Sequence, residues 1–426
     1  MHKTISAGVG ERMQYIAHKY NDTTIRFVLS YPGFLDPDTL CAATNAVISS
    51  VDVLHASFMA KSRMSHWRVQ SDYQISDFFA LAECDGDPMK VAGSIALQPI
   101  DHMDNCQMYV TLVTGSGSCA VVVRISHLVV DGSDGKYLLN KLAESYRLIE
   151  QTGNASDLNI KNGNRSATCV YDELSGKEIQ SLLKTPFSGV KTEYPFADPK
   201  AHGAFRMLCC TIPSNILADA KEKAKADGAT VNDLLLTACY RSYAQTTGHE
   251  GTMSISAMMD LRQHCKDGTS EGLANMSGNL TTLLETSAGK SFAEDLKTIS
   301  AQTEAAKKDP LAGLTGLPLL QAATKTVPLW LLLQAADMVY SNLSLSLTNL
   351  GNIPCEPLTM GGLTPTRGLF GGPLKRKPSV QVGAASFDGT VALTILGDFA
   401  TEDLVSLQTF LNGMRAEIEH YLLENE

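Results

Sequence analysis

The feature that most restricts the fold is a pair of strand-like runs that ends in a histidine. Residues 107–113 and 118–125 are rich in apolar and β-branched side chains, and a Gly-Ser-Gly segment separates them. This spacing predicts two antiparallel strands joined by a short turn. The second run leads directly into His127, and apolar residues at helical spacing follow Gly132. The sequence therefore predicts a histidine at the point where a buried strand gives way to a helix.

Strand and helix patterns alternate along the rest of the chain. Strands are predicted at residues 24–31, 252–258, 343–348, 380–385 and 391–396. Helices are predicted to begin after Asp36, at Pro213, after Thr230 and at a Thr401 cap. A polar stretch at residues 151–166 separates two such series, and it predicts a linker between an N-terminal lobe, 1–165, and a C-terminal lobe, 166–426. Each lobe is expected to mix a sheet with helices.

Charge and hydropathy exclude several classes of protein. The formal net charge of −10 argues against a nucleic-acid binder, which needs a basic surface for phosphates. The apolar run at residues 327–336 is too short to cross a bilayer and predicts a buried helix. The N-terminus lacks the apolar stretch of a signal peptide, so we expect a cytoplasmic location and no membrane span.

The cysteines give a second indication of the compartment. The ten cysteines are scattered, and none forms a C-x-x-C pair. Such a pattern is typical of free thiols in a reducing compartment. The sequence therefore predicts neither a disulfide framework nor a metal site.

His127 begins the pattern H-x-x-x-D-G, in which Asp131 and Gly132 complete the motif. Transfer of an acyl group to a hydroxyl or amine requires removal of a proton, and imidazole has a suitable pKa near neutrality. Gly132 would permit unusual backbone angles or a close approach by another group. The pattern alone is equally compatible with a hydrogen-bonded histidine at a strand end. A similar arrangement, with the histidine one residue closer to Asp-Gly, occurs at residues 264–268.

Several further segments, in the same order along the chain, resemble those of one superfamily. It contains nonribosomal peptide condensation domains, mycobacterial polyketide-associated acyltransferases, wax-ester synthases, plant BAHD acyltransferases and chloramphenicol acetyltransferase. The similar segments are residues 35–58, 126–132, 229–236, 259–262, 277–279 and 348–351. The resemblance implies an α/β (α+β) protein with two chloramphenicol-acetyltransferase-like lobes. Each would be a mixed sheet with flanking helices, and the two would form a V around a central channel.

The resemblance also implies roles for individual residues. His127 would act as the general base, and Asp131 would pair with Arg262 to hold the motif in shape. Ser126, Asn349 and Gly351 are the expected substrate-binding residues. Arg262 could instead be a surface arginine, and the segment from Asn349 to Gly351 could be only a turn.

The implied activity is transfer of an acyl group from acyl-CoA or an acyl carrier protein to a small hydroxyl or amine acceptor. The thioester of coenzyme A or phosphopantetheine would be a co-substrate, with no tightly bound cofactor, and a monomer is expected. Ser126 replaces the first histidine of condensation domains, which fits alcohol and small-molecule acyltransferases better. A catalytically silent domain that binds a carrier protein or partner enzyme is the alternative. The basic cluster at residues 375–377 could contact the phosphates of the donor or lie in a solvated loop.

Overall fold

The structure is a computed structural model, and it describes residues 3–62, 64–104, 106–156, 158–184, 189–287, 289–340 and 345–424. The strands are β1 (Thr4–Ser6), β2 (Thr24–Tyr31), β3 (Ala56–Met59), β4 (His66–Val69), β5 (Phe79–Glu83), β6 (Met108–Thr114), β7 (Cys119–Ser126), β8 (Ala204–Ile212), β9 (Gly251–Asp260), β10 (Ser277–Thr286), β11 (Leu345–Ile353), β12 (Arg367–Gly371), β13 (Val380–Phe387) and β14 (Thr390–Phe399). The helices are α1 (Val9–Ala17), α2 (Pro37–Ser49), α3 (Pro88–Ala96), α4 (Gly132–Thr152), α5 (Gly176–Leu182), α6 (Ser214–Ala226), α7 (Val231–Thr247), α8 (Phe292–Lys308), α9 (Leu317–Thr326), α10 (Leu329–Tyr340) and α11 (Thr401–Leu423).

A five-stranded sheet in the order β12-β2-β7-β6-β5 forms the centre of the N-terminal half. Strands β6 and β7 are antiparallel neighbours, as the sequence predicts. Both faces of the sheet are covered, since successive residues of β7 enter different cores. Val121 and Val123 belong to the core that includes α2 and α4, while Ala120 and Val122 pack with α3. This double burial explains why β7 is an almost continuous apolar run.

The C-terminal half is built on a six-stranded sheet in the order β10-β9-β11-β13-β14-β8. Its middle pairs, β9 with β11 and β11 with β13, are parallel, and the other pairs are antiparallel. Apolar residues of α6, α7, α8 and α11 form a second core with residues of this sheet. A small three-stranded sheet, β1-β4-β3, completes the N-terminal half. The chain is thus a two-lobe α/β protein with mixed sheets and flanking helices.

Strand β12 joins the two halves. It follows β11 in the chain, yet it pairs antiparallel with β2 and forms an edge of the N-terminal sheet. Phe370 of β12 is accordingly part of the N-terminal core. The division of the chain at residues 165 and 166 stays a prediction, but one strand from the later part completes the earlier sheet.

Three local expectations from the sequence are wrong. Trp330, in the run predicted to form a buried helix, is 58% exposed. Cys169 and Cys265 form a disulfide, so these two cysteines are not free thiols. Thr401 is the first residue of α11, whose N-cap is Ala400. Each error concerns a tertiary neighbour or a boundary of one residue, neither of which hydrophobic periodicity specifies.

Candidate active site

The loop that carries His127 is fixed by its backbone and by buried neighbours. The amide nitrogen of His127 donates to the carbonyl of Thr23 at 2.6 Å. The next three residues, Leu128 to Val130, are fully buried in the N-terminal core. Their burial leaves the imidazole of His127 as the side chain of this loop that lines the cavity, where it keeps part of its surface accessible.

The hydrogen bond of the ring defines which tautomer of His127 is present. Nδ1 lies 2.7 Å from the carbonyl oxygen of Val130. Because a carbonyl oxygen can only accept, Nδ1 carries the hydrogen in the neutral ring and Nε2 carries the lone pair. Among the described residues, Nε2 has no hydrogen-bond partner. Burial is the main cause that lowers the pKa of His127, and the charge of Lys375 also lowers it. The hydrogen bond to the Val130 carbonyl and the charge of Asp131 raise it, but the pKa is lowered overall. The net shift therefore favours the neutral imidazole.

Asp131 faces away from this chemistry and organises the loop. Its carboxylate accepts from the amide nitrogen of Asp134 at 3.0 Å, which caps α4. Its Oδ2 accepts from Arg262 Nη1 at 2.6 Å and from the amide nitrogen of Met276 at 2.8 Å. The structure thus has the predicted pair of Asp131 and Arg262. The arginine is buried, so the surface alternative is wrong.

The sequence analysis missed two further carboxylates around Arg262. Asp134 accepts from Arg262 Nη2 at 2.7 Å and from the amide nitrogen of Ala274 at 2.8 Å. Asp260 lies 3.1 Å from Arg262 Nη1. Burial would lower the pKa of Arg262, but the charges of Asp131 and Asp134 raise it overall. We call Asp131, Asp134, Asp260 and Arg262 the latch, because they join the end of β9 to the start of α4.

Gly132 provides a close approach rather than an unusual backbone angle. It is the first residue of α4, and it is absent from the described residues with positive φ. A Cβ atom at this position would lie 2.7 Å from Leu350 Cδ1. Gly132 also lines the cavity. The glycine therefore lets β11 and α4 meet beside the histidine.

A cavity of about 270 Å³ lies in front of His127, between the two halves of the chain. The N-terminal half contributes residues of α1, β2 and the histidine loop. The C-terminal half contributes alternate residues of β9 and β11, together with residues of β12, β13 and α9. Several of the strand residues that line the cavity are polar, among them Ser256, Ser346, Thr348 and Gln381. A ligand beside His127 would therefore contact both halves.

The three residues expected to bind substrate do not line this cavity. Ser126 is fully buried, and its hydroxyl has no hydrogen-bond partner among the described residues. Asn349 follows Thr348 on β11, and since successive strand residues face opposite sides, it points away from the cavity. Its Oδ1 accepts from the amide nitrogen of Gly351 at 2.9 Å, and Gly351 has a φ of 71°. Asn349 and Gly351 lie within β11, where its register with β13 shifts, and not in a turn between elements, so their substrate-binding role stays a prediction.

The basic cluster at residues 375–377 does not act as a unit. Lys375 lines the cavity, whereas Lys377 pairs with Asp403 at 2.8 Å. Arg376 is exposed and donates to the carbonyl of Lys19 at 3.3 Å. Neither a solvated loop nor a common phosphate site describes all three residues. Only Lys375 belongs to the candidate active site.

Asn275 is a further residue that the sequence analysis missed. Its Nδ2 donates to the backbone carbonyl of His127 at 3.0 Å and lies 3.2 Å from Nδ1 of the ring. No local pattern marks Asn275, because its partner is 148 residues away. Asp134 had a local signal, since it lies one helical turn after Asp131. The described residues contain no group of three or more metal-ligating side chains that could hold an ion.

The fold has many counterparts among solved structures. The trichothecene 15-O-acetyltransferase of Fusarium sporotrichioides is 12% identical and covers 98% of this chain and 96% of its own, with a TM-score of 0.73. The condensation domain of the Monacolin K polyketide synthase is 13% identical over 99% of this chain and 98% of its own, at a TM-score of 0.70. Polyketide synthase associated protein 5 from Mycobacterium tuberculosis is 15% identical over 98% of both chains, at 0.69. No protein-family model and no curated protein sequence matches the chain.

Each of these three structures matches nearly the whole chain, so the similarity extends over both halves. The chain therefore shares the two-lobe fold of these three solved structures. In the part of the chain that the structure describes, no helix has the length and apolar character needed to cross a bilayer.

Proposed function

We propose that the protein is an acyltransferase that moves an acyl group from an acyl-CoA or acyl-carrier-protein thioester to the hydroxyl or amine of a small acceptor. One observation carries this proposal. His127 lines a cavity between the two halves, with Nδ1 bound to the Val130 carbonyl and Nε2 left without a partner among the described residues. That arrangement provides a proton acceptor where a bound ligand could reach it. The fold of the acetyltransferase from Fusarium supports the same reaction class.

The chemistry requires only the imidazole and the two substrates. Nε2 of His127 would take the proton of the hydroxyl or amine as its oxygen or nitrogen attacks the thioester carbonyl carbon. The resulting tetrahedral intermediate would expel the thiolate, which receives the proton back from the imidazolium. The acyl group is then bonded to the acceptor, and the donor leaves as a free thiol. The lowered pKa of His127 keeps Nε2 unprotonated at neutral pH, as this first step requires.

Asp131 would have a positioning role and not a relay role. Its carboxylate is occupied by Arg262 and by two backbone amides, and the ring nitrogen nearest the loop donates to Val130 instead. Asp131 therefore fixes the loop, and the carbonyl of Val130 orients the ring. Asn275 would support the same loop through the backbone carbonyl of His127.

The remaining parts of the proposal follow from the position of the cavity. Both walls come from one chain, so a monomer would contain the whole site. The donor would be a co-substrate, not a tightly bound cofactor, because its thiol product has to leave. A cytoplasmic location is consistent with such a donor.

The test is transfer from a panel of acyl-CoA and acyl-carrier-protein thioesters, with release of the free thiol as the readout. Wild type should release thiol faster when hydroxyl or amine acceptors are present, and His127→Ala should abolish that increase. If wild type and variant both lack turnover but bind an acylated carrier, the alternative of a silent binding domain replaces this proposal.

A further inference from the structure

Lys375 differs from the other residues that line the cavity because it has an ammonium group. The residues that line the cavity include no Asp, Glu or Arg among those the structure describes, so Lys375 is the sole lysine, arginine or acidic side chain there. The chain as a whole carries a net charge of −10. The cavity lining therefore contains no carboxylate to pair with Lys375, which stands in the same cavity as His127.

The position of Lys375 is set by the backbone and not by its ammonium group. Its amide nitrogen donates to Leu396 at 3.1 Å, and its carbonyl accepts from Asp398 at 3.1 Å. Its Nζ makes no hydrogen bond or ion pair with any described residue. Burial lowers the pKa of Lys375 to about 8, with an opposing effect from Asp22. The ammonium is thus held in a partly desolvated place where an unpaired charge is costly.

The nearest opposing charge is already engaged. Asp22 forms an ion pair with the buried Arg26, and its Oδ1 accepts from the amide nitrogen of Leu374 at 2.7 Å. The charge of Asp22 therefore attracts the ammonium of Lys375, but the carboxylate oxygens of Asp22 bond to Arg26 and Leu374. A ligand could supply the partner that the protein does not.

Two amide side chains in the same cavity are also incompletely satisfied. Asn21 Oδ1 and Gln381 Oε1 are buried without a hydrogen-bond partner among the described residues, and these residues are 4% and 8% exposed. Both residues line the cavity with Lys375. Buried polar atoms in folded proteins are normally hydrogen-bonded, so these two amides indicate a polar ligand.

We propose that the cavity binds a substrate that carries a carboxylate, and that Lys375 pairs with this carboxylate while Asn21 and Gln381 bind adjacent polar groups. The inference rests on the proposed function, because it takes the cavity beside His127 as the substrate site. Lys375 would be a specificity-determining residue, since it would favour one class of substrate without taking part in proton transfer.

A carboxylate fits these groups better than a phosphate does. A single ammonium balances one negative charge, and the amide oxygens of Asn21 and Gln381 can accept from a hydroxyl or amine elsewhere on the same substrate. Phosphate groups are usually held by arginines, several backbone amides or a metal ion. The exposed Arg376 and the paired Lys377 do not add to the charge inside the cavity.

The direct test is a binding comparison between isosteric probes. Butanoate, hexanoate and octanoate are each compared with the corresponding primary amide by calorimetry at pH 7. Wild type should bind at least one carboxylate about tenfold or more tightly than its amide, as expected for a hydrogen bond to a charged group. Lys375→Met should lose this preference and keep the amide affinity, while Arg376→Gln, which removes a positive charge outside the cavity, should retain it.

The binding comparison can support or overturn the proposed carboxylate site. If wild type shows no preference for any carboxylate, or if Lys375→Met keeps the preference, the proposal is overturned. Thermal unfolding of the variant accompanies the titrations. Should Lys375→Met not fold, the comparison of carboxylate and amide in wild type decides alone.

Turnover assays identify which substrate brings the carboxylate. One arm compares succinyl-CoA with butyryl-CoA as donors, and the other compares hydroxy acids and amino acids with their amides as acceptors. If wild type prefers the carboxylate-bearing substrate about tenfold or more in one arm and Lys375→Met loses this preference, that arm identifies the substrate that carries the carboxylate. If no thioester is turned over but carboxylate binding depends on Lys375, the acyltransferase proposal fails and the carboxylate site stands.

Discussion

Arg262 and Asp131 connect the two halves of the chain through a hydrogen bond of 2.6 Å between Nη1 and Oδ2. The two residues are 131 positions apart, and both side chains are buried. Asp131 also caps the helix that starts beside the histidine. The geometry of the loop that carries His127 therefore depends on an arginine from the other half.

Removal of that arginine should destabilise the protein strongly. Arg262→Met would leave Asp131 buried without its countercharge and Asp134 with only Lys161 at 3.6 Å, and the expected loss is about 3 kcal/mol or more in the free energy of unfolding. Urea denaturation measures it. Arg206→Gln is the control, because Arg206 is exposed and bonds to a neighbouring carbonyl. Equal stability of the two variants would contradict the role assigned to the latch.

Removal of the imidazole should affect activity and leave the fold intact. His127→Ala is expected to lower turnover by about 10²–10⁴-fold, because the proton would pass to water. The matched control is His264→Ala, which changes the histidine of the second, similar sequence pattern. His264 contacts the carbonyl of Ala312 at 2.9 Å and is not among the residues lining the cavity. An equal loss in both variants would argue against His127 as the base.

The pH dependence of turnover should show where His127 becomes protonated. Since burial lowers the pKa of His127, the neutral base persists below the ordinary histidine pKa. The rate constant kcat/KM should therefore stay level as the pH falls through 6.5, the ordinary value for histidine, and decline only at more acidic pH. A decline centred above that ordinary value would contradict the desolvated environment of the ring.

A methyl group at Gly132 should disturb the contact between α4 and β11. The Cβ of Gly132→Ala would meet Leu350 Cδ1 at 2.7 Å, and because this atom ends a flexible side chain, the expected cost in stability is about 1 kcal/mol, at the low end for overpacking. Turnover should fall as well, because Gly132 lines the cavity. Gly176→Ala is a matched control, since Gly176 is also the first residue of a helix but has open space around it. No difference between the two variants in thermal unfolding or turnover would show that Leu350 moves aside freely.

The sequence was most informative where the pattern is local. The hairpin of β6 and β7, the Asp36 cap of α2 and the Thr230 cap of α7 all follow from residues within a few positions of one another. The histidine motif was equally local, and the structure places it where the strand ends and the helix begins. The resemblance to a superfamily then predicted the two-lobe architecture correctly.

The substrate-facing residues were not predictable in the same way. Asn349 and Gly351 resemble a motif of the superfamily, yet the side chain of Asn349 accepts from the backbone of Gly351 within β11, where the strand register shifts. Thr348, one residue earlier, lines the cavity instead. Strand direction alternates at every residue, so a shift of one position exchanges the cavity side for the opposite side.

The sequence by itself predicted several strands and helices and the location of His127, which follow from periodicity and capping over one or two turns of chain. The two-lobe fold class was implied by the resemblance to a superfamily. Only the tertiary structure decided which polar groups support the histidine loop or lie near the ring. These are Asp134, which binds Arg262, Asn275, which binds the carbonyl of His127, and Lys375, which the sequence left in a cluster. Their positions depend on how the two sheets pack and on β12 crossing between them. Packing brings together residues more than a hundred positions apart, and no local pattern encodes such a distance.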